Sequence, residues 1–148
     1  MAHTKIRTSA SPEQVFAVLT DANAYAEWVV GAKQVRAVDE AWPAPGSAFH
    51  HSLGAGPATL NDSTTVAELD APRRLVLCGR ARPLATMAIV LDVHRFGDGT
   101  EVTITEQAAA GLPSWLVGPA AWLMDVLIHL RNVESLRRLR KLAEVQPA

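Results

Sequence analysis

The chain has 148 residues, 49% of them hydrophobic, with 14 Lys and Arg against 15 Asp and Glu for a formal net charge of −1. A chain of this length buries roughly two-thirds of the surface its unfolded form exposes, so it needs no metal or disulfide staple, and residues 1–148 are expected to form a single domain. With no basic excess to release counterions from a phosphate backbone, nucleic acid is excluded as the expected partner.

Cys78 is the only cysteine, so no intrachain disulfide forms, which fits a reducing compartment. It lies in "RLVLCGRA", where nothing nearby in sequence would lower its pKa, and is expected to be a small buried apolar residue. The opening "MAHTKIRTSASPEQ" lacks the apolar stretch of a secretory signal, and a cytoplasmic location is expected. The segment from Leu112 to Leu130 is greasy enough to mimic a membrane span, yet it contains Pro113, Pro119, Asp125 and His129. An Asp at the centre of a lone span costs roughly 2.5–3.5 kcal/mol, so this segment is expected to pack on protein and not to be an integral membrane helix.

In chain order, residues 2–8 alternate weakly and predict an edge strand. "SASPEQVFAVLTD" predicts a helix with Ser11 as N-cap, Pro12 at the first helical position and Gln14 completing a capping box. Val15, Phe16 and Leu19 form its apolar face. Asp21 or Asn23 caps a second short helix, "ANAYAEWV", which Gly31 ends. Residues 33–41 predict a strand, and "WPAPG" at 42–46 a turn. Strands are then expected at 47–53, 58–69, 74–82 and 84–96, the last two joined at Pro83, followed by the hairpin signal "GDGT" and a final strand at 101–109. "GLPSW" leads into a long helix from about Ser114 to Glu144. An antiparallel sheet needs one covered face, and this helix is the one element large enough to cover it.

This order resembles the helix-grip fold shared by START-like domains and the birch-pollen-allergen family. The stretches "SASPEQVFAVLTDANAYAEWV", "VAELDAPRRLVL", "GDGTEVTITE" and "RNVESLRRLRKLAE" resemble the bacterial polyketide cyclase/dehydrase and lipid-transport branch of the SRPBCC superfamily. The resemblance spans nearly the whole chain. It implies an α+β domain whose sheet of about seven strands curls around the last helix and leaves an internal cavity for an apolar or amphipathic small molecule.

Strand parity predicts which side chains face inward. On 84–96 the odd positions Met87, Ile89, Leu91 and Val93 are apolar, while Thr86, Asp92 and His94 alternate with them. On 74–82 the arginines Arg74, Arg80 and Arg82 leave Leu75, Leu77 and Gly79 for the inside. On the last strand the inner set is Val102, Ile104 and Glu106. On 47–53, Phe49, His51 and Leu53 share a face and His50 lies outside.

In the second half of the long helix, Val133, Leu136, Leu139 and Ala143 oppose a solvated face of Glu134, Arg137, Arg138 and Lys141. Extended backwards at about 100° per residue, the apolar face meets Asn132, His129, Asp125 and Trp122. Asp125 and His129 are therefore expected inside, at i, i+4, opposite Glu106 and His51. As two polar groups that satisfy each other they are structural; as an orienting acid with a general base, joined by Glu106, they are catalytic. Tyr25, Trp28, His51, Met87, Ile89, Leu91, Ile104, Trp122, Val126 and Val133 are the expected ligand-lining residues, with Trp115 beside Pro113 as a lid.

The same rotation leaves Leu116, Leu123, Leu127 and Leu130 as an exposed stripe, read as a dimer contact, a membrane-surface contact, or the result of a kink near Pro119. A metal at His51, Glu106, Asp125 and His129 has no local ligand spacing behind it, and neither metal nor cofactor is expected. No GxSxG, Walker loop or dinucleotide fingerprint occurs. The function expected is binding of an apolar or aromatic small molecule, lipid or polyketide-like. The alternatives are a cyclase/aromatase using His129 with Asp125, and an interaction module built on the leucine stripe.

Overall fold

The structure, a computed structural model, describes residues 2–55, 57–81, 85–110 and 121–147. It contains seven strands: β1 (Ala2–Thr8), β2 (Ala32–Val38), β3 (Ala48–Ala55), β4 (Ala58–Asp70), β5 (Arg74–Ala81), β6 (Ala85–Phe96) and β7 (Gly99–Ala110). Its helices are α1 (Pro12–Leu19), a 3₁₀ turn (Ala22–Ala24), α2 (Tyr25–Trp28) and α3 (Ala121–Glu144). The strands form one antiparallel sheet in the order β1-β7-β6-β5-β4-β3-β2, so the chain closes its meander by bringing β1 back beside β7. This is the expected α+β arrangement. The expected helix start at Ser114, the Trp115 lid, Leu116, the Pro119 kink and the Pro83 junction lie outside the described residues.

Local chemistry fixes the helix ends. Ser11 Oγ accepts from the Gln14 amide at 3.2 Å, and Gln14 Oε1 accepts from the Ser11 amide at 2.8 Å, completing the capping box. The other end of the Gln14 amide donates to the Gln146 carbonyl at 2.7 Å, so one side chain both starts α1 and ties down the end of the chain. Asp21 caps the 3₁₀ turn through the Asn23 amide. The second strand is shorter than its sequence pattern: Asp39 Oδ2 accepts from the Ala48 amide, and the Trp42 amide donates to the Asp39 carbonyl, turning the chain away at Val38. Trp42 then donates to the Thr20 carbonyl at 2.7 Å and joins the core edge.

Parity holds across the sheet. Leu75, Leu91 and Ile104 lie side by side on neighbouring strands and are all buried. The next row runs Val66, Leu77, Ile89 and Glu106 before reaching Ala2 on β1, so an acid interrupts an otherwise apolar row. His94 is exposed, and Cys78, on the outer parity, is half-buried where a buried residue was expected. The edge strand β2 pairs with β3 through two register irregularities, between Ala32 and Gln34 and between Val35 and Ala37.

The second half of α3 packs as its pattern predicts: Leu136, Leu139 and Ala143 are fully buried, and Arg137, Arg138 and Lys141 are exposed. The helix lies against β1, α1 and α2. Two side-chain bonds fasten it to β1, Thr8 Oγ1 donating to Glu144 at 2.9 Å and Thr4 Oγ1 hydrogen-bonding with His129 Nδ1 at 3.0 Å.

Leu136 is 0% exposed at the centre of this seam, so Leu136→Ala should remove about 2–5 kcal/mol of unfolding free energy in urea titration, through lost transfer energy and the cavity left behind. Leu60 is 59% exposed, and Leu60→Ala should change stability by less than about 0.5 kcal/mol.

Candidate functional site

Polar groups converge where the inner face of the sheet meets α2 and the middle of α3. Glu106, from β7, is buried and takes an ion pair from Arg131 Nη2 on α3. The pair is asymmetric: the Glu106 side chain is 4% exposed and that of Arg131 40%. Burial pushes the Glu106 carboxyl above its ordinary range, and the Arg131 charge, which favours the carboxylate, offsets this only in part. Asn132, fully buried on the next position of α3, also favours the carboxylate, although its Nδ2 has no hydrogen-bond partner.

His51, from β3, is buried, with Nε2 at 2.8 Å from Thr64 Oγ1 of β4. Desolvation lowers its pKa, with Asp62 acting in the opposite direction, so the ring is held neutral. Tyr25 is the hub of the cluster. Its ring lies 5.5 Å from that of His51, 4.6 Å from Phe49 and 5.7 Å from Trp28. Burial raises the Tyr25 pKa, Arg131 and Thr64 pull it down, and Glu106 adds to the rise, so the phenol keeps its proton.

Four buried nitrogen atoms in this region have no hydrogen-bond partner among the described residues: Trp28 Nε1, His51 Nδ1, Arg131 Nε and Asn132 Nδ2. A buried donor left unmade costs about 1–3 kcal/mol, so groups of this kind take a partner from an internal water or a bound molecule.

Several expected site residues meet here. Tyr25, Trp28 and His51 are buried, Leu91 and Ile104 are buried on the adjoining inner face, and Met87, Ile89 and Val133 are half-buried. Others do not. Asp125 is exposed and makes no hydrogen bond among the described residues; His129 is exposed and turned to Thr4 instead of Asp125. Trp122 and Val126, expected as lining, are 67% and 43% exposed. The extrapolated stripe fails for a physical reason. The angle of Asp125 on the helix is right, but burial also requires a layer opposite, and no described element covers that end of α3. Of the side chains described between Trp122 and Leu130, only Ile128 is half-buried. The stripe of Leu123, Leu127 and Leu130 is exposed, as expected.

Arg131, Thr64 and Asn132 were missed as site residues. A signal for Arg131 exists: an acid at the inner parity of an apolar strand needs a cation, and Arg131 adjoins the inward stripe of α3. The described residues contain no group of three or more His, Cys, Asp or Glu able to hold a metal ion. No helix among them is long and apolar enough to cross a membrane. An open hollow of about 370 Å³ lies apart from this cluster, lined by residues such as Pro12, Pro72, Arg73 and Arg95, whose arginines extend into solvent.

The site's pH response follows from two shifts of opposite sign. His51, with its pKa depressed in the fold, contributes stability present above its ordinary value of 6.5 and lost as pH falls through the folded value. Glu106, with its pKa raised, contributes stability present below 4.5 and lost as pH rises through the folded value. Between pH 5 and 7.5, His51→Gln should therefore gain on wild type toward the acid end and Glu106→Gln toward the neutral end, as read from urea midpoints.

Residues 2–144 match the family model described as polyketide cyclase / dehydrase and lipid transport. Among solved structures, a protein from Chromobacterium violaceum is 20% identical, with 97% of this chain and 96% of that one covered at a TM-score of 0.75. A protein from Thermus thermophilus is 13% identical, with 99% of each chain covered and a TM-score of 0.75. The di-domain ARO/CYC StfQ from the steffimycin biosynthetic pathway is 11% identical over 96% of this chain and 49% of its own, with a TM-score of 0.73. At these identities the likeness is one of fold. No curated protein matches the chain.

Proposed function

Because this chain belongs to the polyketide cyclase / dehydrase and lipid transport family, we propose that it binds an apolar or aromatic small molecule, lipid or polyketide-like, in an internal cavity between the sheet and α3. The observation that carries this reading is the set of unpartnered buried nitrogens beside Tyr25, bordered by the apolar inner face of β6 and β7. Apolar burial at about 25 cal/mol per Å² supplies affinity, and a few fixed polar groups set orientation. Met87, Ile89, Leu91 and Ile104 form the apolar wall in this reading, while Tyr25, Trp28 and His51 stand at the polar end.

The enzymatic alternative, a cyclase with His129 as acid or base and Asp125 holding its tautomer, finds less support. Of Asp125, His129 and Glu106, only Glu106 is buried at the cluster. The carrier reading requires no proton transfer and uses the groups that do converge.

Native mass spectrometry of gently purified protein, together with titration of the neutral fluorophore N-phenyl-1-naphthylamine, tests the proposal. Wild type should retain or accept an apolar molecule, and Ile89→Trp, which fills the inner face beside Glu106, should weaken fluorophore binding about tenfold or more. Wild type that binds neither lipid, sterol nor aromatic probe ends the reading.

The exposed leucines support a second role, contact between two copies of this chain. Leu123, Leu127 and Leu130 are 47–60% exposed beside Trp122, an apolar surface of the kind that marks association sites. In sedimentation equilibrium, wild type should dimerise and Leu127→Glu should be monomeric; a monomeric wild type removes the idea.

A further inference from the structure

The hydrogen-bonding capacity left over at the polar cluster is nearly all of one kind. Trp28 Nε1, Arg131 Nε and Asn132 Nδ2 are obligate donors, each buried without a hydrogen-bond partner among the described residues, although the Asn132 amide also favours the Glu106 carboxylate beside it. Tyr25 is protonated, and its hydroxyl is already in contact with Thr64. The charged acceptor of the cluster, the Glu106 carboxylate, is already taken by Arg131 Nη2. A ligand that satisfies this end must therefore bring acceptors. An ammonium would bring only further N–H groups against donors, leaving both sides short of an acceptor.

Charge decides which acceptor. Arg131 is the cation of the cluster, and Glu106 neutralises it at close contact. His51 is neutral, held by Thr64 at 2.8 Å, and Tyr25 is uncharged at neutral pH. A carboxylate entering beside Tyr25 would meet a site where Glu106 already balances Arg131, and where the charges of Arg36 and Asp62 act on His51 in opposite directions. It would be desolvated without a counterion, and it would face the Glu106 carboxylate as a like charge. An uncharged carbonyl has neither problem.

We propose that the polar end of the bound molecule is an uncharged acceptor oxygen, such as a ketone, ester or amide carbonyl, read by the N–H groups of Trp28, Arg131 and Asn132, and that Glu106 sets this preference by neutralising Arg131 and so excluding carboxylates. The inference rests on the apolar-ligand reading above. It makes Glu106 a residue that determines specificity without being a reacting group.

Three probes with one aromatic body separate the possibilities: 2-acetylnaphthalene, 2-ethylnaphthalene and 2-naphthoate, measured by isothermal titration at pH 7.5. Wild type should bind the ketone about tenfold more tightly than the hydrocarbon, as one or two made hydrogen bonds predict, and about tenfold more tightly than the carboxylate. Trp28→Phe and Asn132→Leu should each shrink the advantage of the ketone over the hydrocarbon severalfold, read as the ratio of the two affinities within each variant. In Glu106→Gln the naphthoate should gain about tenfold, with the ketone changed by less than about threefold. The double variant Glu106→Gln, Arg131→Met should lose that gain, which a general loosening of the fold would not reverse. If Glu106→Gln does not fold, Glu106→Ala carries the same expectation. Wild type that binds hydrocarbon and ketone equally overturns the inference and leaves the apolar site standing. Equal affinity for ketone and naphthoate in wild type, or no naphthoate gain in either Glu106 variant, overturns the role of Glu106. Failure of all three probes to bind wild type removes the ligand reading itself, and the inference with it.

Discussion

One helix about 10 Å wide cannot cover seven strands spaced about 4.8 Å apart. That mismatch governs the molecule. The inner face of the sheet is largely apolar from β4 to β7, with Thr64 and Glu106 among its polar members, and Leu75, Leu77, Leu91 and Val93 are buried there. Coverage comes from a composite layer: α3 lies on β1, α1 and α2 lie on α3, and α2 reaches β2 at the other edge. The two edge strands are joined through helices, not through each other. The polar cluster sits under this layer, drawn from β3, β4 and β7.

Within that layer, the cluster holds its shape through paired opposites. Glu106 is buried more deeply than its partner Arg131, so the acid is fixed and the cation reaches in from the rim. His51 is braced by Thr64 and packed at a tilt against Phe49 and Tyr25. Removing one partner of such a pair costs more than the pair itself contributes, because a desolvated charge is left behind. Backbone groups are drawn in as well: the Val30 amide at the end of α2 donates to Ser135 Oγ on α3, locking the aromatic helix to the long one beside the cluster.

Much of this was legible in the sequence where the deciding forces are local. Ser11 and Gln14 announce their helix because a capping box is a four-residue interaction. Glu106 and His51 were placed inward because strand parity is set by the pleat. Asp125 and His129 were misplaced because a helical stripe predicts direction only; whether that direction is dry depends on a distant layer. Arg131 sat one step off the stripe, and its role depends on Glu106, 25 positions away. Thr64 lay in a strand too polar for its parity to be read. The errors fall on residues whose environment is built by tertiary contact, and the successes on residues whose neighbours in sequence decide.

The unevenness of β2 has an effect beyond this one molecule. An open sheet ends in a row of free amides and carbonyls, and a straight outer strand invites another copy to extend the ladder. On β2 the two breaks in pairing kink that row, and the exposed Lys33 and Arg36 sit along it. Lys33 reaches over to the Ala58 carbonyl and Arg36 to those of His51 and Asp62, so the cations are anchored across the margin. A protein that keeps greasy leucines on one helix thus guards this border against fibre-like stacking.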